Sequence, residues 1–170
     1  MTDRIDRIDD NSCPIDKDLI ATRYTEYVDL DIHSKYSIQS SLLSIDDIIT
    51  HSIDNKLSFA SFINDNALYG SIKFYAKCVE KDLKPIIGVQ VNICESLARK
   101  DKNSSTLCLL PINLKGYQDL CKLITISYGA GFYYIPRIDF ETLSQYSANL
   151  ICLLSGRSNI LTKSVLNNQL

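Results

Sequence analysis

Apolar residues along this chain come in two rhythms: short near-continuous runs, and stretches that repeat every three or four positions. The short runs are Tyr27-Val28-Asp29-Leu30-Asp31-Ile32, Leu57 to Ile63, Pro85 to Val91, Thr106 to Leu110 and Asn149 to Leu154, and they predict five strands. Between them, Ile45, Ile48, Ile49 and Ile53 recur at helical spacing behind Ser44. That serine can cap a helix, and Asp47 three residues on favours its positive end. Leu68, Ile72, Tyr75 and Val79 lie at i, i+4, i+7 and i+11 and form the apolar stripe of a second predicted helix, closed by Lys84-Pro85. A third helix runs from Leu114 to about Ser127, with Tyr117, Leu120, Cys121 and Ile124 on one face. A short helix capped by Asp139 and a last one from about Asn159 complete the set.

Strand and helix alternating at this cadence imply an α/β fold of mainly parallel strands joined by right-handed crossovers, with helices covering the sheet. Residues 1–25 repeat Ile-Asp-Arg among polar residues without a sustained apolar period and read as a flexible leader, so that the folded domain spans 26–170. The polar loop Ala98 to Ser105 divides the third strand from the fourth. Its Arg99, Lys100 and Lys102 are few and mixed with Asp101, so it reads as a solvated turn and not as a basic site.

Composition narrows the class. The chain has 170 residues, 45% of them apolar, with 18 Lys and Arg against 20 Asp and Glu. That is one globular domain with enough apolar material for a core, and its net charge of −2 argues against a free-standing module that binds DNA by phosphate neutralisation. No stretch approaches the roughly 18 uncharged apolar residues of a membrane span, so a cytoplasmic location is expected. The six cysteines (Cys13, Cys78, Cys94, Cys108, Cys121, Cys152) lie in apolar segments without the two-residue spacing of zinc ribbons or redox dithiols, and read as buried reduced thiols.

In parallel α/β folds, reacting groups gather where strands end. The first predicted strand ends in Asp29-Leu30-Asp31-Ile32-His33, whose period of two puts Asp29, Asp31 and His33 on one side. The second ends in Asn64-Asp65-Asn66, and the third carries Gln90 and Asn92. His33 with Asp31 and Asp65 could hold a divalent cation that activates water. Equally, Asp and Asn after strands are turn formers, and a histidine facing a cleft can simply be hydrogen-bonded.

Ordered motifs along residues 27 to 156 carry a family resemblance. Tyr27 to Ser37 resembles the opening motif of the PHP (polymerase and histidinol phosphatase) domain at the N-terminus of bacterial DNA polymerase III alpha subunits. Ile45-Asp46-Asp47-Ile48-Ile49 resembles its following helix, Asn66-Ala67-Leu68-Tyr69-Gly70 with Phe74-Tyr75 its second motif, and Lys84-Pro85-Ile86-Ile87-Gly88 its third-strand signature. Gly116-Tyr117 through Ser127-Tyr128 matches a further helix, Gly131-Phe132-Tyr133-Tyr134-Ile135-Pro136-Arg137-Ile138-Asp139 is the most specific string, and Leu154-Ser155-Gly156 ends the match.

The resemblance implies a PHP-type β/α barrel of which this chain holds about the first two thirds. It also implies a role in DNA replication. Metal-binding members of the family carry His-x-His, then Asp-His, then a Glu, and hydrolyse phosphoesters. Here the first His position is Asp31 and the second is His33; the Asp position is Asn64, its neighbouring His position is Asp65, and the Glu position is Gln90. Neutral amides at two anionic positions bind divalent ions far less well, so no cofactor is expected, with Mg, Mn or Zn as the alternative. The polymerase palm of the family lies beyond the PHP domain. The chain is thus expected to act as a catalytically silent module, its partners being the remainder of the alpha subunit and the proofreading subunit, with DNA reached only through the complete polymerase. The alternative is a metal-dependent phosphoesterase or 3'-5' proofreading exonuclease. A barrel stopped after five strands would leave edge groups unpaired and favour association. Elsewhere, His51 reads as a solvated helix residue, Arg137 as a phosphate contact or a partner of Asp139, and Tyr133 and Tyr134 as core packing for want of a basic groove beside them.

Overall fold

The computed structural model describes residues 27, 29–100, 102–156 and 158–166; the expected leader and Cys13 lie outside them. The chain forms α1 (Ile45–Asp54), β1 (Phe59–Asp65), α2 (Ser71–Glu80), β2 (Lys84–Cys94), β3 (Ser105–Pro111), α3 (Leu114–Tyr128), β4 (Ile138–Asp139), α4 (Phe140–Tyr146), a 3-10 turn (Ser147–Asn149), β5 (Leu150–Leu153) and α5 (Ile160–Leu166). One mixed sheet runs in the order β1-β2-β3-β5, with β4 also paired to β2. β1 and β4 lie parallel to β2, β3 lies antiparallel to it, and β5 lies antiparallel to β3. Two reversals cancel, so β1, β2, β4 and β5 point the same way and β3 alone points back.

The reversal of β3 has a plain cause. Only residues 95–104 separate β2 from β3, with no helix among the described ones, and a parallel crossover needs a dozen or more residues. The connection therefore turns the chain back beside β2.

The first predicted strand, 27–32, is not one of the five. Among the described residues, its segment pairs with the sheet backbone through one parallel bridge, between His33 and Ile63, with the Ile63 amide donating to the Ile32 carbonyl at 2.9 Å, and Ser61 Oγ of β1 donates to the Asp29 carbonyl. The acidic residues that break its apolar run explain the loss: Asp29 Oδ1 accepts the Asp31 amide at 3.0 Å, a side-chain bond that competes with a strand ladder. The fifth strand is instead β4, and Asp139 ends it by capping α4, accepting from the Thr142 amide at 2.9 Å.

Period-two alternation splits the core into two layers. Ala60 and Phe62 of β1 pack with Ile45, Ile48 and Ile49 of α1 and with Phe74 and Cys78 of α2, the two phenylalanine rings stacking at 4.9 Å. Val89, Val91 and Ile93 of β2 meet Leu107 and Leu109 of β3 and Leu120 and Leu123 of α3. Each such buried side chain contributes about 1.5–3 kcal/mol. On the opposite sheet face, Ile63, Cys108 and Leu110 form a smaller cluster with Leu30, Ile86 and Leu153. Gly88 belongs to that face, where a Cβ would come within 2.4 Å of Leu110 Cδ2 and 2.9 Å of the Leu109 carbonyl oxygen.

α1 forms as its sequence dictates, with a reciprocal capping box between Ser44 and Asp47. The stripe expected of α2 turns the other way: Ile72, Tyr75 and Val79 are exposed, while Ser71, Phe74 and Cys78 face the core. Of the cysteines, Cys78, Cys94 and Cys108 are buried and Cys121 is partly so, whereas Cys152 is exposed, contrary to expectation. Burial pushes the Cys78 thiol up to about 11 and the Cys108 thiol up to about 12.

Candidate functional site

Sheet register places three polar side chains in one row across the inner face: Asp65 pairs with Gln90, and Gln90 with Cys108. The bridge at Ile63 sets His33 beside this row. Asp31, His33, Asp65 and Gln90, together with Asp29 and Ser40, line an open cleft of about 450 Å³. The row thus collects the candidate residues Asp31, His33, Asp65 and Gln90, and Asn64 lies directly behind it.

Their side chains converge on one another. His33 Nδ1 lies 3.1 Å from Asp65 Oδ1, and His33 Nε2 lies 3.1 Å from Asp31 Oδ1. Serving both carboxylates with an N–H requires the doubly protonated ring. The bond to Asp65 is the largest cause that raises the His33 pKa above its ordinary value, partly opposed by burial. The same bond holds the Asp65 carboxyl below the usual carboxylate range, helped by Ser40 Oγ, which donates to Asp65 Oδ2 at 2.6 Å. Gln90 Nε2 donates to Asp65 Oδ1 at 3.1 Å. Cys108 Sγ stands 3.5 Å from Asp31 Oδ1 and 3.2 Å from Ser155 Oγ.

Asn64 is fully buried and completely employed. Its Oδ1 accepts from Ser34 Oγ at 2.7 Å and Ser37 Oγ at 3.2 Å, and its Nδ2 donates to the Tyr69 carbonyl at 2.9 Å. Ser37 Oγ also accepts the Asp65 amide at 2.9 Å. Ser34, Ser37, Ser40, Cys108 and Ser155 are members of the cluster that motif reading did not single out. Only the spacing of the two serines within His33-Ser34-Lys35-Tyr36-Ser37 hinted at them.

A divalent metal does not fit this arrangement. Both His33 nitrogens are aimed at carboxylates, and Asn64 and Gln90 bring neutral amides that are already bonded. Among the described residues, no group of three or more His, Cys, Asp or Glu side chains is disposed to hold a metal ion.

The other singled-out residues fall elsewhere. His51 is exposed on α1 beside Asn55. Arg137 is 2% exposed, so it is not a surface phosphate contact; its Nε donates to the Gly131 carbonyl at 3.3 Å and its Nη1 to the Arg99 carbonyl at 3.4 Å. Tyr133 is half-buried, but Tyr134 is 67% exposed, against the expectation of core packing.

Fold and cluster together define an α/β domain with a polar constellation of Asp31, His33, Asp65 and Gln90 at the strand ends of one sheet face. The family model described as PHP domain matches residues 29–169, and the chain belongs to that family. It is similar to DNA polymerase III subunit alpha of Borreliella burgdorferi, 35% identical over 151 residues, which cover 85% of this chain and 13% of that protein. It is likewise similar to the same subunit of Chlamydia trachomatis serovar D, 32% identical over 149 residues, covering 84% of this chain and 12% of that protein. The chain therefore spans about an eighth of the length of these curated relatives. A putative metal-dependent phosphoesterase from Bifidobacterium adolescentis matches 60% of this chain and 33% of its own with a TM-score of 0.46 at 9% identity. No helix among the described residues is long and apolar enough to cross a membrane.

Proposed function

We propose that this chain is a catalytically silent PHP module of a bacterial replicative DNA polymerase, acting in DNA replication as part of an alpha subunit in the cytoplasm. Its role is structural: it packs against the remainder of that subunit and helps seat the proofreading subunit. The observation that carries the silent reading is His33 clamped through both ring nitrogens by Asp31 and Asp65. Hydrolysis of a phosphoester by a metal site needs an open coordination position and a bound water. Here the carboxylates of Asp31 and Asp65 are engaged by His33, and the amides of Gln90 and Asn64 are committed to Asp65 and to the Tyr69 carbonyl.

The acidic lining of the cleft, with Asp29 and Asp31 at its mouth, supports one second reading, a metal-dependent phosphoesterase of the same family. Thermal melts with Mn²⁺, Zn²⁺ or chelator, run beside hydrolysis of bis-p-nitrophenyl phosphate, separate the two. The silent module melts at one temperature in all three solutions and releases no nitrophenol. A melting point raised by metal, with chelator-sensitive hydrolysis, replaces it with the phosphoesterase.

A further inference from the structure

The basic loop and the tyrosine pair, each too weak to read alone, meet in space. Loop 95–104 and segment 131–137 adjoin where β2 ends, tied by the Arg137 bond to the Arg99 carbonyl and by Asn92 Nδ2 donating to the Pro136 carbonyl at 3.0 Å. On this frame Lys102 Nζ sits 4.2 Å from the centre of the Tyr134 ring, and Arg137 Cζ lies 5.2 Å from the Tyr133 ring. The two tyrosines pack edge to face at 4.8 Å. Tyr134 holds a left-handed backbone (φ 60°), an uncommon conformation for a bulky residue, fixed by the bridge between Tyr133 and Ile135. The result is a ring presented to solvent at 67% exposure, beside Phe132 at 53%.

Charge at this surface is opposite to that of the whole chain. Arg99, Lys100 and Lys102 of the loop stand against Glu95, which pairs with Arg99, and Asp101 of the same stretch of sequence, and Lys163 joins from α5 through its bond to the Ser104 carbonyl. Exposed π faces held rigidly among cations are the recognition chemistry of single-stranded nucleic acid: bases stack on the rings, and phosphates meet the cations.

We propose that this two-loop surface binds single-stranded nucleic acid, with bases on Tyr134 and Phe132 and phosphates on Lys102, Lys100 and Arg99. The site spans two or three nucleotides and lies apart from the His33 cleft. It stands independently of the polymerase reading, and it gives the chain a nucleic-acid contact of its own.

The test is fluorescence anisotropy of a labelled oligothymidylate titrated with the full chain at low salt, beside an abasic strand of equal length and a duplex. Saturable binding is expected to fall with salt, with a log–log slope near −2 for about three phosphate contacts at roughly −0.7 each. Tyr134→Asn, a residue that tolerates the left-handed backbone, should weaken binding by about tenfold, the scale of one lost base stack, without changing the melting temperature. Lys102→Gln should lower the slope by about 0.7. The abasic strand and the duplex should bind more weakly than oligothymidylate. Absence of saturable binding, equal binding of the abasic strand or the duplex, or indifference to both substitutions overturns the proposal. So does self-association of the chain that Tyr134→Asn abolishes while oligonucleotide fails to bind, which makes the surface a protein contact.

Discussion

Replacing Asn64 with Ala tests whether the amide behind the polar row holds the N-terminal segment to the sheet. The side chain is fully buried and makes bonds in three directions, to Ser34, Ser37 and the Tyr69 carbonyl. Alanine removes all of them. Ser37 Oγ keeps the Asp65 amide as a partner, and Ser34 Oγ still accepts the Tyr36 amide at 3.2 Å, but the hydroxyl protons of Ser34 and Ser37, the Ser34 amide and the Tyr69 carbonyl lose theirs. A stranded buried polar group costs about 1–3 kcal/mol, so the set costs about 2–4 kcal/mol once rotation of the two hydroxyls to other acceptors and partial solvation at Tyr69 are allowed for. For a chain of this length, about 2–4 °C of melting temperature goes with each kcal/mol, which places the drop between about 4 and 16 °C. The assay is a thermal melt followed by tyrosine near-UV and by far-UV circular dichroism. The double variant with Ser34→Ala adds the diagnostic reading: because the donor and its acceptor vanish together, its loss should be smaller than the sum of the two single losses. A drop under 2 °C for Asn64→Ala, or strict additivity in the double variant, refutes the reasoning.

Further outcomes follow from the same geometry. The His33–Asp65 bond gives the fold a pH window: the raised imidazole contributes fully below its ordinary value of about 6.5 and loses that contribution as pH rises through its folded value. The lowered carboxyl contributes fully above its ordinary value of about 3.8 and loses that contribution as pH falls through its folded value. Melting temperature should therefore peak between these values, and His33→Asn should flatten the alkaline limb in a pH series of melts. Gly116→Ala puts a Cβ 2.2 Å from the Asn149 carbonyl oxygen, a backbone atom, so α3 must shift from the 3-10 turn; urea titration should show a loss of about 1–3 kcal/mol. In a thiol-labelling time course, Cys152→Ser should remove one equivalent that reacts in the folded protein because its side chain is exposed, although burial raises its thiol as well, while the buried Cys78 and Cys108 should react only on unfolding.

Sequence pattern located most elements because cap chemistry and period agreed, as at Ser44-Ile45-Asp46-Asp47 ahead of α1. It misjudged α2 because that helix has two apolar stripes, Ile72-Tyr75-Val79 and Phe74-Cys78, and spacing alone does not say which one meets a sheet. It missed the direction of β3, although the length of 95–104 already forbade a helical crossover. At the site, Asp31, His33, Asn64, Asp65 and Gln90 stood out because polar residues interrupt strands there. Ser34, Ser37 and Ser40 did not, since a serine after a strand looks the same whether it turns the chain or satisfies a buried amide. Tyr134 was misread for a different reason: its cationic neighbour Lys102 is 32 positions away in sequence, and only the antiparallel return of β3 and the Arg137 tether bring the two together.

Side chains rather than a strand ladder hold the N-terminal segment to the sheet. Residues 29–37 have no strand of their own and a single bridge to β1, so their attachment rests on side chains: His33 to Asp65, Ser34 and Ser37 to Asn64, and Ser37 to the Asp65 amide. A metal held between such a segment and the strand ends would cross-link the same two parts of the chain. On the proposed reading, exchanging the metal donors for amides, serines and a clamped imidazole keeps the cross-link and gives up the chemistry. The substitutions are therefore not independent losses. Gln90 as an amide can donate to Asp65 where a carboxylate would repel it, and Asn64 as an amide can donate to the Tyr69 carbonyl while still accepting from both serines. Restoring one anionic donor alone, as in Gln90→Glu, would place a third carboxylate against Asp65 and loosen the clamp instead of rebuilding a metal site.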